Sequence, residues 1–155
     1  MTNAITARLK ELGITLPRLS APLANYLPTL ISGGHLYVSG QLPMADGAVT
    51  YTGRLGAELD IEAGQAVARL CAVNLLAQAS AALESDLSRV QRVVKLGGFV
   101  AATAEFSDHP KVMNGASDLM VKVFGEAGCH TRFAVGCASL PLGAAVEIDA
   151  LFEVE

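Results

Sequence analysis

Apolar and polar residues alternate without interruption near the C-terminal end of the chain. One set is Val146, Ile148, Ala150, Phe152 and Val154, and the other is Glu147, Asp149, Leu151 and Glu153. Because successive side chains of a strand point to opposite faces, a period of two predicts a strand with one buried face. We therefore predict a strand over residues 145–154.

Two other patterns predict strands in the first third of the chain. Short apolar stretches at 30–32 and 36–40 are joined by Gly33 and Gly34, a pair typical of a two-residue hairpin turn. Asp46 and Gly47 form a second turn signal, leading into a strand over about 48–52. Residues 93–100 read as a buried strand, in which Gly97 and Gly98 indicate a bulge or a close backbone approach.

Helical spacing appears in three places. A short helix is predicted over 5–12, ending at Gly13, and an irregular segment with Pro17, Pro22 and Pro28 follows it. Asp60 can cap a helix over about 61–84. Ala66, Leu70, Val73 and Ala77 lie on one apolar face of that helix at helical spacing, with Leu76 and Leu83 beside them. Pro110 begins a last helix, which runs to about Phe124.

The remaining predicted strand, 133–138, is followed by a turn at Leu140–Pro141 and by the alternating strand, which is predicted to return beside it as a hairpin. The order of elements after the N-terminal extension is β-β-β-α-β-α-β-β. It predicts an α+β fold, in which one mixed β-sheet carries two helices packed on one face. Residues 1–155 are predicted to form a single domain with a short N-terminal extension, about 1–25.

Composition narrows the class of protein. The chain is 52% hydrophobic but only 5% aromatic, which favours a symmetric homo-oligomer that buries apolar surface between copies. A formal net charge of −4, with eleven scattered Lys and Arg residues, argues against nucleic acid as a partner. Three cysteines without a CxxC pair, and no apolar signal core or membrane-length run, predict a cytoplasmic protein without a membrane segment.

Arg132 and Glu147 are the candidate site residues, because they stand inside the most apolar stretch of a chain that is only 17% charged. Arginine offers a rigid fork of donors that matches a carboxylate, and a nearby carboxylate can orient and polarise a water molecule. Strand parity, if no bulge intervenes, predicts both side chains on the same sheet face. The pair therefore predicts a pocket for a small organic acid. A structural ion pair between the two residues is the alternative.

Three motifs carry a resemblance to a known family. Tyr26 precedes a strand, Leu36–Pro43, with a Ser-Gly-Gln signature, and Val93–Lys95 leads through a strand into a helix with Asn114. Arg132 stands eight residues before Leu140–Pro141, with Val146–Ile148 beyond. In this order the chain resembles the Rid (YjgF) family of reactive intermediate deaminases. Its chorismate-mutase-like branch, described as "putative endoribonuclease", is the more specific match.

The resemblance implies a homotrimer with a central barrel and clefts at subunit interfaces, and an activity that resembles 2-iminobutanoate/2-iminopropanoate deaminase. It implies hydrolysis of 2-imino or enamine acids to 2-keto acids and ammonia, without a cofactor or a metal. Arg132 would bind the substrate carboxylate, and Glu147 would position a water. The implied substrate-binding residues are Tyr26, Ser39, Gly40, Asn114 and Ala134. Ala134 stands where the best-known deaminases carry a cysteine, so only its backbone can serve the ligand.

Other interpretations of the same residues remain open. Tyr26 equally fits a packing role, Asn114 a capping role, and Ser39 the end of a strand. His130 is predicted to be an exposed loop residue, Cys71 and Cys137 core residues, and Cys129 an exposed thiol. As for function, a trimer that binds small carboxylates without turnover and an endoribonuclease are the alternatives to a deaminase.

Overall fold

The computed structural model describes residues 3–19 and 25–155, so the predicted role of Pro22 in an irregular segment lies outside the described residues. Three α-helices, α1 (Ala4–Glu11), α2 (Ile61–Ala82) and α3 (His109–Phe124), carry the helical content together with short 3-10 turns. The strands are β1 (Thr29–Ser32), β2 (His35–Gln41), β3 (Met44–Ala45), β4 (Ala48–Val49), β5 (Val90–Ala101), β6 (Thr131–Cys137) and β7 (Val146–Val154). The predicted α+β class is confirmed.

Five strands form one mixed sheet in the order β1-β2-β7-β5-β6. All neighbours are antiparallel except β5 and β6, which are parallel. The third predicted strand does not join this sheet, because β3 and β4 form a separate two-stranded hairpin around the Asp46–Gly47 turn. At the other predicted hairpin, Gly33 and Gly34 both have positive φ, 57° and 76°, as a two-residue turn requires.

The predicted hairpin between residues 133–138 and 145–154 is wrong. Strand β5 lies between β6 and β7 and pairs with both, so the segment after Cys137 crosses over to the far side of β5. The Leu-Pro turn is there, as a 3-10 turn at Pro141–Gly143. A local turn signal cannot distinguish a hairpin from a crossover, since that choice depends on which strand already occupies the place beside β6.

Helices α2 and α3 cover one face of the sheet and enclose the hydrophobic core. The alternation in β7 is confirmed, with its Val146-to-Val154 set buried against the helices. The predicted apolar face of α2 lies only partly in the core: Val73, Leu76, Ala77 and Leu83 are buried, but Ala66 is exposed and Leu70 half-buried. Because α2 is apolar on nearly all sides, its helical period does not single out one face.

Helix α1 extends the core at its edge. Leu9 is buried, and Asn3 caps the helix through its side-chain oxygen, which accepts from the backbone N–H of Thr6 at 2.8 Å. The amide of Asn3 donates to Asp86 and the guanidinium of Arg8 to the carbonyl of Lys122, at 2.9 and 3.1 Å. No helix within the described ranges is long and apolar enough to span a membrane.

The second sheet face has no helix over it. Leu30, Tyr37, Phe99 and Val135 project from it with 39–51% of their surface exposed. A groove of about 370 Å³ runs across it between Tyr37, Lys95, Phe133, Asp149 and Leu151. We call this surface the open face. Exposed aromatic and branched side chains on one contiguous surface are typical of an interaction site.

The close contact of α2 with α3 yields a stability prediction. A Cβ added at Gly115 would meet the backbone of Gln65 at distances below 3.0 Å. Gly115→Ala should therefore destabilise the fold by about 2–3 kcal/mol through overpacking, although alanine is the better helix former by about 1 kcal/mol. Urea unfolding at one fixed protein concentration measures this. Asp118→Ala, at an exposed position on the same helix, should change stability by less than about 0.5 kcal/mol. A Gly115→Ala variant as stable as wild type would contradict this packing.

Candidate functional site

Arg132 lies on β6, at the edge of the sheet, and its side chain reaches across to α3. Its Nη1 donates to Asn114 Oδ1 at 3.1 Å and to Ser117 Oγ at 2.9 Å, and its Nη2 donates to the carbonyl of Pro110 at 3.2 Å. Three acceptors from successive turns of one helix fix the plane of the guanidinium. Asn114, whose amide oxygen accepts from the guanidinium, is thus brought beside Arg132, and its substrate contact stays a prediction.

Part of the guanidinium remains available. Of its five N–H groups, three have partners, and within the described residues the Nε–H and one Nη2–H have none. No carboxylate forms a salt bridge with Arg132 in the same part of the chain. A bonded guanidinium with two free donors can hold a planar carboxylate.

Glu147 lies on the open face of β7, with its carboxylate against Gly40. Strand β2 bulges here, since the register shifts between Val38 and Gln41. A Cβ at Gly40 would stand 2.8 Å from Glu147 Oε1, so a residue larger than glycine would displace the carboxylate. Burial raises the pKa of Glu147 above its ordinary value, and the nearby Asp149 raises it further. A carboxyl group with a raised pKa can exchange protons closer to neutral pH.

Ser39 ties the segment around Tyr26 to the bulge. Its hydroxyl donates to the carbonyl of Leu27 at 2.8 Å, and its backbone N–H donates to the carbonyl of Pro28 at 2.9 Å. Because both groups of Ser39 are bonded, the segment at Leu27 and Pro28 is held beside Gly40. Tyr26 is 59% exposed and lies next to Leu27.

The structure sorts the predicted site residues into two groups. The guanidinium cluster comprises Arg132, Asn114 and Ala134, and the carboxylate cluster comprises Glu147, Gly40 and Ser39. Tyr26 lies in the neighbouring segment, which Ser39 bonds at Leu27. Ala134 belongs to the first group because it follows Arg132 by two on β6. The backbone carbonyl of Cys137 points toward β5, where it accepts from the N–H of Ala102. Because backbone groups alternate in direction along a strand, the N–H and C=O of Arg132 and Ala134 point the other way, out from the edge of the sheet.

The predicted shared face of Arg132 and Glu147 is wrong. Arg132 is in register with Leu96, which in turn is in register with Ala150, and these residues face the helices. Glu147 is in register with Phe99, which lies on the open face. The parity argument assumed that β6 and β7 are adjacent, but each takes its register from β5. Two strand spacings and three residues along the strand separate the two positions, about 10 Å in each direction. The two residues therefore form no ion pair within one chain.

Two functional candidates, Ser117 and His130, were not predicted. Ser117 lies one helical turn after Asn114 on the same face of α3, a spacing that the sequence contains. His130 is half-buried rather than an exposed loop residue, because its ring contacts both Ser117 Oγ and the carbonyl of Gly128. The glycine-rich turn before it packs against α3, where Ser117 lies.

The three cysteines are free thiols. Cys71 is buried as predicted, and burial raises its pKa strongly. Cys129 is exposed as predicted. Cys137 is not a core residue: it is half-buried on the open face, where partial burial and the charge of Glu147 raise its pKa. Neither clustering nor spacing suggests a metal, and residues 3–19 and 25–155 hold no group of three His, Cys, Asp or Glu side chains suited to one.

Comparisons with known proteins cover nearly the whole chain. Residues 6–153 match the family described as "YjgF/chorismate mutase-like, putative endoribonuclease". Protein TCP17 of Trypanosoma cruzi is 52% identical over 154 residues, covering 99% of this chain and 96% of that protein. The crystal structure of Atu1372 from Agrobacterium tumefaciens, a protein of unknown function, is 55% identical, covers 97% of this chain and 94% of its own, and has a TM-score of 0.91.

A crystal structure described as a "putative endoribonuclease" from Shewanella oneidensis is 36% identical and has a TM-score of 0.93, with 98% of this chain and all of that chain covered. RidA from an Antarctic Psychrobacter is more distant, at 24% identity, a TM-score of 0.59 and 86% and 92% coverage, and shares the fold.

The raised pKa of Glu147 predicts how stability depends on pH. The pKa of this carboxyl is higher in the folded protein than its ordinary value of 4.5, so ionising it lowers the free energy of unfolding. The full loss is present at a pH above the folded pKa, and there is no loss at a pH below 4.5. Glu147→Gln should therefore have a higher urea midpoint than wild type at pH 7.5, and the difference should vanish near pH 4. Glu153→Gln, at an exposed position on the same strand, is the control. A lower midpoint for Glu147→Gln at pH 7.5 would show that the carboxylate stabilises the fold.

Proposed function

The chain belongs to the YjgF/chorismate mutase-like family, and we propose that it hydrolyses small 2-imino and enamine acids to 2-keto acids and ammonia. One observation carries the proposal. The guanidinium of Arg132 is held by three hydrogen bonds, yet its Nε–H and one Nη2–H have no partner in the described part of the chain.

Those two donors bind the substrate carboxylate. A bidentate contact fixes both the position and the plane of a 2-imino acid, and charge-assisted hydrogen bonds are worth about 1.5–3 kcal/mol each. The outward-facing backbone of Ala134 offers a further N–H and C=O beside the guanidinium. The imine carbon, conjugated to the bound carboxylate, is already electrophilic, so holding the substrate supplies much of what the reaction needs.

Glu147 acts on the water molecule as a general base. Its carboxylate accepts a proton from the water that adds to the imine carbon, and the nitrogen gains protons as the carbon–nitrogen bond breaks. Water and the imine are the only reactants, and the products are the 2-keto acid and ammonia. The raised pKa of Glu147 supports this role, because a carboxyl that takes and returns a proton works best near the working pH.

The two clusters work together only if a second copy of the chain is present. Arg132 and Glu147 lie on opposite sheet faces of one subunit, so we propose that the guanidinium cluster of one copy faces the carboxylate cluster of the next. A homotrimer, with the open faces forming a central barrel, places three such clefts between subunits. The exposed Leu30, Tyr37, Phe99 and Val135 on the open face support an assembly that covers them.

The experiment is a coupled assay in which an amino-acid oxidase generates 2-iminobutanoate, whose disappearance is followed. Wild type should accelerate hydrolysis over buffer. Arg132→Ala should lower kcat/KM by about 100-fold through loss of the carboxylate contact, and Glu147→Gln by about 100-fold or more through loss of proton transfer. Arg69→Ala and Glu62→Gln, at exposed positions on α2 on the other side of the sheet, are the matched controls and should retain activity.

No acceleration by wild type over several imino acids would overturn the proposal. Retained binding of 2-oxobutanoate in that case would indicate a carboxylate-binding protein without turnover. RNA cleavage by wild type that Glu147→Gln abolishes would support the endoribonuclease named in the family description.

A further inference from the structure

A chain of hydrogen bonds runs from Arg132 back to the turn that precedes its strand. Arg132 Nη1 donates to Ser117 Oγ at 2.9 Å, and Ser117 Oγ lies 2.9 Å from His130 Nε2. On the other side of the ring, His130 Nδ1 lies 2.6 Å from the carbonyl of Gly128. Arginine, serine, imidazole and backbone thus form one continuous path.

Chemistry fixes the direction of every bond in this path when the imidazole is neutral. A carbonyl oxygen can only accept, so His130 Nδ1 carries the proton and Nε2 is left as an acceptor. The hydroxyl of Ser117 must then donate to Nε2, which leaves its oxygen lone pairs for the guanidinium, a group that only donates. The path therefore specifies the Nδ1–H tautomer of His130.

The far end of the path is tightly packed. Gly128 is buried at the end of a 3-10 turn, and a side chain there would meet the backbone of Met120 in α3. The Gly128 carbonyl is consequently held in place against α3, and His130, two residues before Arg132, transmits that position to Ser117.

We infer that Ser117 and His130 are positioning residues that hold the Arg132 guanidinium in the one rotation that presents its free Nε–H and Nη2–H to the ligand. This inference rests on the proposed function, in which Arg132 binds the substrate carboxylate. An arginine side chain that is ordered before binding loses less conformational entropy when the ligand arrives. Neither Ser117 nor His130 touches the substrate, so their effect falls on carboxylate binding and little on the bond-breaking step.

The chain contains an internal control. His35 makes the same local contact as His130, with its Nδ1 3.0 Å from the carbonyl of the glycine two residues earlier, Gly33. Within the described residues its Nε2 has no serine partner, and it lies on β2, away from Arg132.

The first test uses side-chain 15N NMR at pH 8.5 and needs no ligand. His130 should show a protonated Nδ1 and an unprotonated, hydrogen-bonded Nε2, and Ser117→Ala should shift the Nε2 signal of His130 but not that of His35. The guanidinium of Arg132 should rotate slowly in wild type and faster in Ser117→Ala. An Nε2–H tautomer at His130, or unchanged guanidinium rotation in Ser117→Ala, would overturn the inference whether or not the protein is a deaminase.

The second test measures binding of 2-oxobutanoate by calorimetry, together with KM and kcat for 2-iminobutanoate. Ser117→Ala should raise both Kd and KM about tenfold, the loss of one hydrogen bond to a charged group, and change kcat less than about twofold. Ser117→Thr, which keeps the hydroxyl, and His130→Gln, which keeps an acceptor, should stay near wild type, as should His35→Gln. A fall confined to kcat, or equal losses of affinity in Ser117→Ala and Ser117→Thr, would contradict a positioning role.

If wild type bound 2-oxobutanoate yet turned over no imine, the proposed deaminase activity would be wrong. The Kd values of the variants would still decide this inference.

Discussion

Strand β5 pairs along most of its length with β7 on one side and with β6 on the other. This single arrangement decides where the chemistry-bearing side chains go. It places Arg132 on an edge strand, with its side chain toward α3, and leaves Glu147 on the opposite face beside the β2 bulge. Had β6 and β7 formed a hairpin, both residues could have shared one face of one subunit, and the site would not call for a second copy.

Each cluster is arranged before any ligand arrives. The guanidinium is bonded by α3 and, through Ser117, by His130, so its orientation is set by a helix and a packed turn. The carboxylate of Glu147 has a different surrounding: it fills the space that a side chain at Gly40 would take, and burial raises its pKa. One cluster is thus arranged to hold a negative charge, and the other holds a carboxyl in surroundings that disfavour its ionised form.

Much of the fold could be predicted from local pattern. The alternation from Val146 to Val154, the cap at Asp60 and the Gly33–Gly34 turn each have a physical meaning within a few residues, and each holds in the structure. The order of strands could not be predicted, because the partner of β6 lies some 30 residues before it. For the same reason, the sequence did not predict that Glu147 and Arg132 lie on opposite faces of the sheet.

The candidate site divides in the same way. Arg132 and Glu147 were identifiable as charges within an apolar stretch, and Asn114 from the motif order. Ser117 and His130 were not, since a serine in a helix and a histidine after a glycine look ordinary until α3 and the turn before β6 are packed together.

The claim that each site is shared between two copies is tested most directly by mixing subunits. Arg132→Ala and Glu147→Ala proteins, each inactive alone, are unfolded together in equal amounts, refolded, and checked for mixed oligomers by native mass spectrometry. If one neighbour supplies the arginine and the other the glutamate, about a quarter of the sites in a random mixture regain both residues, and imine hydrolysis should return to about a quarter of the wild-type rate. Mixed oligomers that remain as inactive as the two parents would show that both residues must come from the same subunit, and would contradict the account.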